Sequence, residues 1–105
     1  MKPTSLEDAV TIIRATFPES ELEAWAAQSE DVARALAHFE LGLWVRNNWV
    51  YGDGSPLATK IMEADWSIQA DAVSSIIIRA LWRVLNGFPC PSIEELLRPS
   101  PQRAQ

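Results

Sequence analysis

The chain has 105 residues, of which 48% are hydrophobic, and this length fits one domain with a core of its own. Its single cysteine, Cys90, excludes an intrachain disulfide and a metal site made of cysteines, so we expect a reducing compartment, the cytoplasm. The first residues lack an apolar signal segment and no apolar run is long enough to cross a membrane, so we expect no membrane partner.

The net charge of −5 is concentrated in the first part of the chain. Residues 1–40 contain eight acidic and three basic residues, whereas residues 41–105 contain six of each. An acidic surface repels phosphate, which argues against direct binding of nucleic acid, and it attracts basic proteins. The simpler explanation, which we favour from the sequence alone, is that these acids only keep the fold soluble.

Helix signals follow one another in chain order. Ser5 and Asp8 make a capping box at the start of a first helix, which Pro18 ends. Ser29 caps a helix that has two apolar stripes. One stripe has large side chains, among them Val32, Leu36 and Leu43, and the second is made partly of alanines. A helix that is apolar on nearly every side is surrounded by others, so we predict that residues 30–48 form the central helix.

The remaining segments read as shorter helices and turns. The clearest loop is residues 51–56, in which Ser55 can cap and Pro56 suits the first position of a helix. Ser92 and Glu95 make a second capping box, and no stretch alternates for long enough to require a strand. We predict one all-α domain, residues 1–98, built as a compact orthogonal array of five or six helices. The predicted helices are 6–17, 19–27, 30–48, 57–64, 71–86 and 93–97, followed by a loose tail at 99–105.

Patterns for catalysis and metal binding are missing from the sequence. His38 is the only histidine, and no serine or cysteine stands in a nucleophile motif. The loop at 51–56 lacks the lysine of a phosphate-binding loop. Asp65, Asp71 and His38 are not at the spacing of metal ligands on one helix. We therefore predict no enzymatic activity, no metal and no cofactor.

The polar cluster Arg46-Asn47-Asn48 has two interpretations. Arg46 continues an apolar stripe, so its five donors need acceptors inside the fold. In the structural interpretation, which we favour, the cluster points inward and bonds to the loop at 51–56, with Asp53 or Glu40 as further partners. In the alternative, the cluster binds a small ligand such as a nucleotide or a peptide. The candidate ligand-binding residues are Arg46, Asn47, Asn48, Trp49 and Tyr51.

The chain has five tryptophans, of which we expect at least three to be mostly buried. Trp82 lies with Ile78 and Arg79 beside the inward stripe of the last long helix, a composition that suits a protein-binding patch. The segment 93–97 would cover this patch in the interpretation that we slightly favour. The candidate partner-binding residues are Glu19, Glu21, Glu23, Ile78, Arg79 and Trp82.

A resemblance to a known family rests on three parts of the sequence. They are the run His38-Phe39-Glu40-Leu41-Gly42-Leu43-Trp44-Val45-Arg46-Asn47-Asn48-Trp49, the loop with Ser55-Pro56-Leu57, and the segment 71–78 with Trp82. Over about residues 20–88 the chain resembles a family of small bacterial proteins with a domain of unknown function and the core His-Phe-x-Leu-Gly-x-Trp-x-Arg-Asn-x-Trp. Ile68-Gln69-Ala70-Asp71 stands where that family has His-Pro-Asp-Asp. The resemblance implies a bacterial or phage setting and a compact helical fold, and it implies no activity.

These observations favour a small cytoplasmic protein-binding module. The concrete form is an immunity protein or regulator that neutralises a basic, nuclease-like partner through its acidic first part. The alternative is a small-ligand binding protein that uses the Arg46-Asn47-Asn48 cluster. A third possibility is a structural subunit that forms a homo-oligomer.

Overall fold

The computed structural model describes residues 1–38 and 40–97, and this part of the chain is helical without any strand. The predicted all-α class is confirmed, but these residues form seven α-helices and one π-helix, more than the five or six helices predicted. The predicted tail at 99–105 lies outside the described residues. The helices are α1 Leu6–Thr16, α2 Glu19–Ala26, α3 Glu30–Ala37, α4 Leu41–Val45, a π-helix Arg46–Val50, α5 Pro56–Ala64, α6 Ala70–Leu85 and α7 Ile93–Leu97.

Four serine side chains begin helices, as the sequence predicted. The Oγ of Ser5 accepts a hydrogen bond from the backbone N–H of Asp8 at 3.0 Å. Equivalent bonds at 3.1–3.3 Å are made by Ser29, Ser55 and Ser92, each with the N–H three residues further on. Each bond satisfies a backbone donor that the first turn of a helix leaves free, which contributes about 1 kcal/mol.

The predicted central helix at 30–48 is wrong, because this segment is three elements in place of one. Helix α3 ends at Ala37, and α4 begins only at Leu41. The backbone then widens into the π-helix, where the N–H of Tyr51 donates to the carbonyl of Arg46 at 2.8 Å. The change of direction lets α3, α4 and the π-helix all pack on α6.

Helix α6 occupies the centre of the fold. Every other helix contacts it, and Val73, Ile77 and Leu81 on this helix are completely buried. Burial of side chains of this size stabilises the fold by roughly 1.5–3 kcal/mol each. No helix among the described residues is both long and apolar enough to span a membrane.

An aromatic cluster joins α1 to the segment that follows α3. The ring of Trp44 lies edge-on to Phe17 and to Trp49, with ring centroids 5.3 Å and 5.0 Å apart. Trp49 is buried, and Trp25, Trp44 and Trp82 each expose only the smaller part of their surface, so the prediction that at least three tryptophans are mostly buried is confirmed. Trp66 is the exception in the described chain, since 79% of it is exposed.

The residues that precede α1 are bonded to the rest of the fold. The indole N–H of Trp49 donates to the carbonyl of Met1 at 3.2 Å, and the N–H of Leu57 donates to the carbonyl of Pro3 at 3.1 Å. Two lysines add bonds to backbone carbonyls, Lys2 to Asn48 and Lys60 to Thr4. These bonds hold the start of α1 beside the π-helix and α5.

Candidate functional site

Arg46 lies at the start of the π-helix and is only 6% exposed. Its Nη1 donates to the Oγ of Ser74 at 3.0 Å, and its Nη2 donates to the carbonyl of His38 at 3.0 Å. Its Nε lies 3.5 Å from the Oδ1 of Asp71, whose side chain is 70% exposed. The guanidinium therefore joins the end of α3 and the π-helix to the first turns of α6.

The predicted inward orientation of Arg46 is correct, but its predicted bonds to the loop at 51–56, Asp53 and Glu40 are wrong. The loop is fixed instead by Ser55, whose hydroxyl donates to the carbonyl of Trp49 at 2.9 Å. The N–H of Gly54 also donates to the carbonyl of Tyr51 at 3.2 Å, so the loop is bonded without the arginine. Arg46 is left to bond α6.

The candidate ligand-binding residues do not present a converging set of donors. Arg46 and Trp49 are buried, and their polar groups bond within the chain. The amide of Asn48 donates back to the carbonyl of Trp44 at 2.8 Å. Asn47 and Tyr51 are exposed at the surface. Arg46 and Trp49 therefore expose little surface to a ligand, and the ligand-binding role of these five residues stays a prediction.

The second candidate surface, on α6, is also mostly covered. Ile78 is 2% exposed, and its Cδ1 lies 3.4 Å from where a side chain at Gly42 would begin, so α4 covers it. Arg79 donates to the carbonyl of Leu96 on α7 at 3.2 Å and to Glu30 at 3.2 Å. The prediction that Ile78, Arg79 and Trp82 form an exposed patch is therefore wrong for Ile78, which is buried. The alternative, in which the segment 93–97 covers it, holds for Arg79.

Trp82 is the third member of that patch. It is half-buried, and its indole N–H donates to the carbonyl of Gln28 at 3.0 Å. Its ring stacks on Phe88, with centroids 6.3 Å apart. Because the N–H is occupied and one face is covered, Trp82 stabilises the contact between α6 and the end of α2.

The acidic residues of α2 are exposed, as the sequence predicted, but they do not share one face. Glu21 lines a groove between α2 and α3, whereas Glu19 and Glu23 line another groove with Arg14. Within residues 1–38 and 40–97, none of these three glutamates forms an ion pair with a Lys or Arg side chain. Their negative charges are therefore available to interact with other molecules around the protein.

The groove that contains Glu21, which we call the α2–α3 groove, has a volume of about 320 Å³. Its surface is mainly apolar, and its two charged groups are the carboxylates of Glu21 and Glu40. Leu36, on α3, is 59% exposed. The groove is lined by Phe17, Glu21, Leu22, Trp25, Leu36, Ala37, Glu40 and Leu41.

The sequence interpretation missed the exposure of the large apolar side chains of α3. Val32 and Leu36 were assigned to an inward stripe, but both are exposed, and the alanine face of the helix is buried instead. Ala33 and Ala37 pack inward with almost no exposed surface. A helix with a small and a large apolar face can bury either, so the pattern alone contains no signal for this choice.

Two titratable groups outside these surfaces have shifted pKa values. Burial raises the pKa of the Cys90 thiol, and the carboxylates of Glu7 and Glu95 raise it further. Hydrogen bonds from the hydroxyl and the N–H of Ser67 lower the pKa of Asp65. In the described part of the chain, no group of three His, Cys, Asp or Glu side chains is placed to hold a metal ion.

Comparison with known proteins identifies a family without an assigned activity. Residues 2–85 match the sequence pattern of DUF6794, described as a domain of unknown function. No curated protein and no solved structure matches the chain. The bacterial setting and the core motif stay predictions. Because the match extends over most of the sequence, the chain belongs to the DUF6794 family, a domain of unknown function.

Proposed function

We propose that this chain is a small cytoplasmic protein-binding module that neutralises or regulates a basic partner protein, as an immunity protein does with a toxin. The observation that carries the proposal is the group of exposed carboxylates on α2, without a cationic partner among the described residues, beside exposed apolar side chains on α3. Charged groups of one sign accelerate the encounter with an oppositely charged protein. Apolar groups beside them supply contact area that binding removes from water.

The basic residues of the first part of the chain do little to cancel these charges. Lys2 donates to the carbonyl of Asn48, on the side where the chain start meets the π-helix. Arg34 lies 3.6 Å from Asp31, one turn away on the same helix. Only Arg14 lines a groove with α2 carboxylates. The three glutamates of α2 therefore outnumber the one arginine placed beside them, which supports a basic partner.

Two other functions have less support. A small-ligand site at Arg46 would need donors that the fold already uses for Ser74 and the carbonyl of His38. A symmetric dimer through α2 would place the same carboxylates of two copies against each other, which costs free energy. A basic protein partner needs neither the occupied donors of Arg46 nor the contact between like-charged carboxylates.

The experiment is affinity capture from the native host with three forms of the chain. The first is the native chain, and the second carries Glu19→Lys, Glu21→Lys and Glu23→Lys. The matched control carries Glu7→Lys, Glu63→Lys and Glu94→Lys, which reverse the same number of exposed glutamates elsewhere.

We expect the native chain and the control to retain a basic protein that the α2 variant loses, and we expect added salt to release it. Identical proteins on all three forms, or no basic protein on any of them, would contradict the proposal. Circular dichroism of each form shows whether the helices are intact.

A further inference from the structure

The α2–α3 groove combines an apolar lining with the exposed carboxylates of Glu21 and Glu40. We infer that it binds one amphipathic helix of the partner protein, whose apolar face enters the groove and whose flanking Lys or Arg residues reach Glu21 and Glu40. This inference rests on the proposed function and adds to it the place of contact and the form of the partner.

The floor of the groove is apolar and held in place. The indole N–H of Trp25 already donates to the carbonyl of Ala33 at 2.7 Å, so this ring offers apolar surface to a partner. The ring of Phe17 packs edge-on against the ring of Trp44, which supports it. Leu36 stands exposed above this floor. A preformed apolar floor costs little to order on binding, which raises affinity.

Charge distinguishes this groove from three other grooves on the described surface. The groove beside α1 contains Arg14, the groove between α3 and α6 contains Arg34, and the groove beside Phe88 contains Arg83. The α2–α3 groove has carboxylates and no basic residue. Glu21 comes from α2 and Glu40 from the turn before α4, so two different segments each supply a carboxylate to one partner.

A helical partner suits the groove better than a peptide that binds by strand addition. Strand addition needs the edge of a sheet, and residues 1–38 and 40–97 contain no strand to extend. A helix satisfies its own backbone hydrogen bonds, so it needs only apolar and charged contacts from the groove. Anchors spaced three or four residues apart would lie along one face and enter the groove together.

The test uses synthetic peptides and isothermal titration calorimetry on the full chain. The probe is an amphipathic peptide of leucine and lysine with all leucines on one helical face. Three controls have the same length: one with the same residues rearranged so that no apolar face forms, one with a central proline that breaks the helix, and one with glutamate in place of lysine.

The protein variants separate the groove from general charge attraction. Leu36→Ser removes an exposed apolar side chain inside the groove, and Leu43→Ser removes an exposed leucine outside it. Glu40→Lys reverses a charge in the groove, and Glu63→Lys reverses one elsewhere. The replaced leucines are 59% and 46% exposed, so the fold should tolerate both changes.

We expect only the leucine–lysine helix to bind the native chain. Leu36→Ser and Glu40→Lys should each raise the Kd of this peptide by about tenfold or more, while the Kd for the two control variants should stay within about twofold of the native value. Equal binding of the rearranged or proline peptide, or equal effects of Leu36→Ser and Leu43→Ser, would overturn the helix inference. Such a result would leave the proposed function standing if the α2 variant still lost its basic partner in the capture experiment.

Discussion

Replacement of Arg46 by methionine tests whether this buried guanidinium joins the parts of the fold. Arg46→Met keeps most of the aliphatic stem and removes all five donors. The hydroxyl of Ser74 keeps one bond, because it also donates to the carbonyl of Asp71 at 2.9 Å. The carbonyl of His38 loses the bond from Nη2.

The expected cost follows from the three contacts of the guanidinium. A hydrogen bond from a charged donor contributes about 1.5–3 kcal/mol, so the bonds to Ser74 and His38 together contribute about 3–6 kcal/mol. The pair with Asp71 adds at most about 1 kcal/mol, because that carboxylate is mostly exposed and screened by water. Burial of the methionine offsets part of this loss. We expect Arg46→Met to lower the free energy of unfolding by about 3 kcal/mol.

Urea unfolding followed by tryptophan fluorescence measures this change. A domain of this size has a total stability of about 5–15 kcal/mol, so the variant should fold with a clearly lower urea midpoint. The control Asp71→Asn removes only the exposed partner and should cost less than about 1 kcal/mol. A loss below about 1 kcal/mol for Arg46→Met, or an equal loss for Asp71→Asn, would refute the assigned role.

Three further predictions use the same preparations. Gly42→Ala should lower the free energy of unfolding by about 1–3 kcal/mol despite the better helix propensity of alanine, because the new Cβ would lie 3.0 Å from the carbonyl oxygen of Ala37; an unchanged urea midpoint would contradict this. Cys90 should react more slowly with a thiol reagent than free cysteine does near neutral pH, since burial and nearby carboxylates raise its pKa and reduce the thiolate fraction. Glu95→Gln should lower that pKa and speed the reaction, and an equal rate would argue against the effect. Trp66→Ala should change the stability by less than about 0.5 kcal/mol, because this side chain is almost wholly in solvent.

The start of each capped helix was predictable because a cap depends on a few neighbouring residues. The Oγ of Ser29 reaches the N–H three residues on whatever the rest of the fold does. The break after Ala37 was not predictable in this way. No proline or glycine stands between Ala37 and Leu41 to mark a break in the sequence, although α3 ends at Ala37 and α4 begins only at Leu41.

The candidate site shows the same division between local and long-range information. The charge of Glu21 was visible in the sequence, and its exposure is as expected. Leu36 and Glu40 join it only because α2 lies against α3, a contact that periodicity does not encode. Arg46 was expected to face inward because it continues an apolar stripe. Its partner Ser74 lies 28 residues away, and no local rule selects it.

The central position of α6 has a consequence for how the chain is made. On the ribosome, α1 to α5 emerge before residue 70, and each of them packs against a helix that has not yet been synthesised. Their apolar faces therefore stay exposed to solvent until α6 has been synthesised. The acids of the first forty residues help to keep these faces from aggregating. Nascent chains stalled before Ala70 should be sensitive to protease, and resistance should arise in one step once Leu85 has left the exit tunnel.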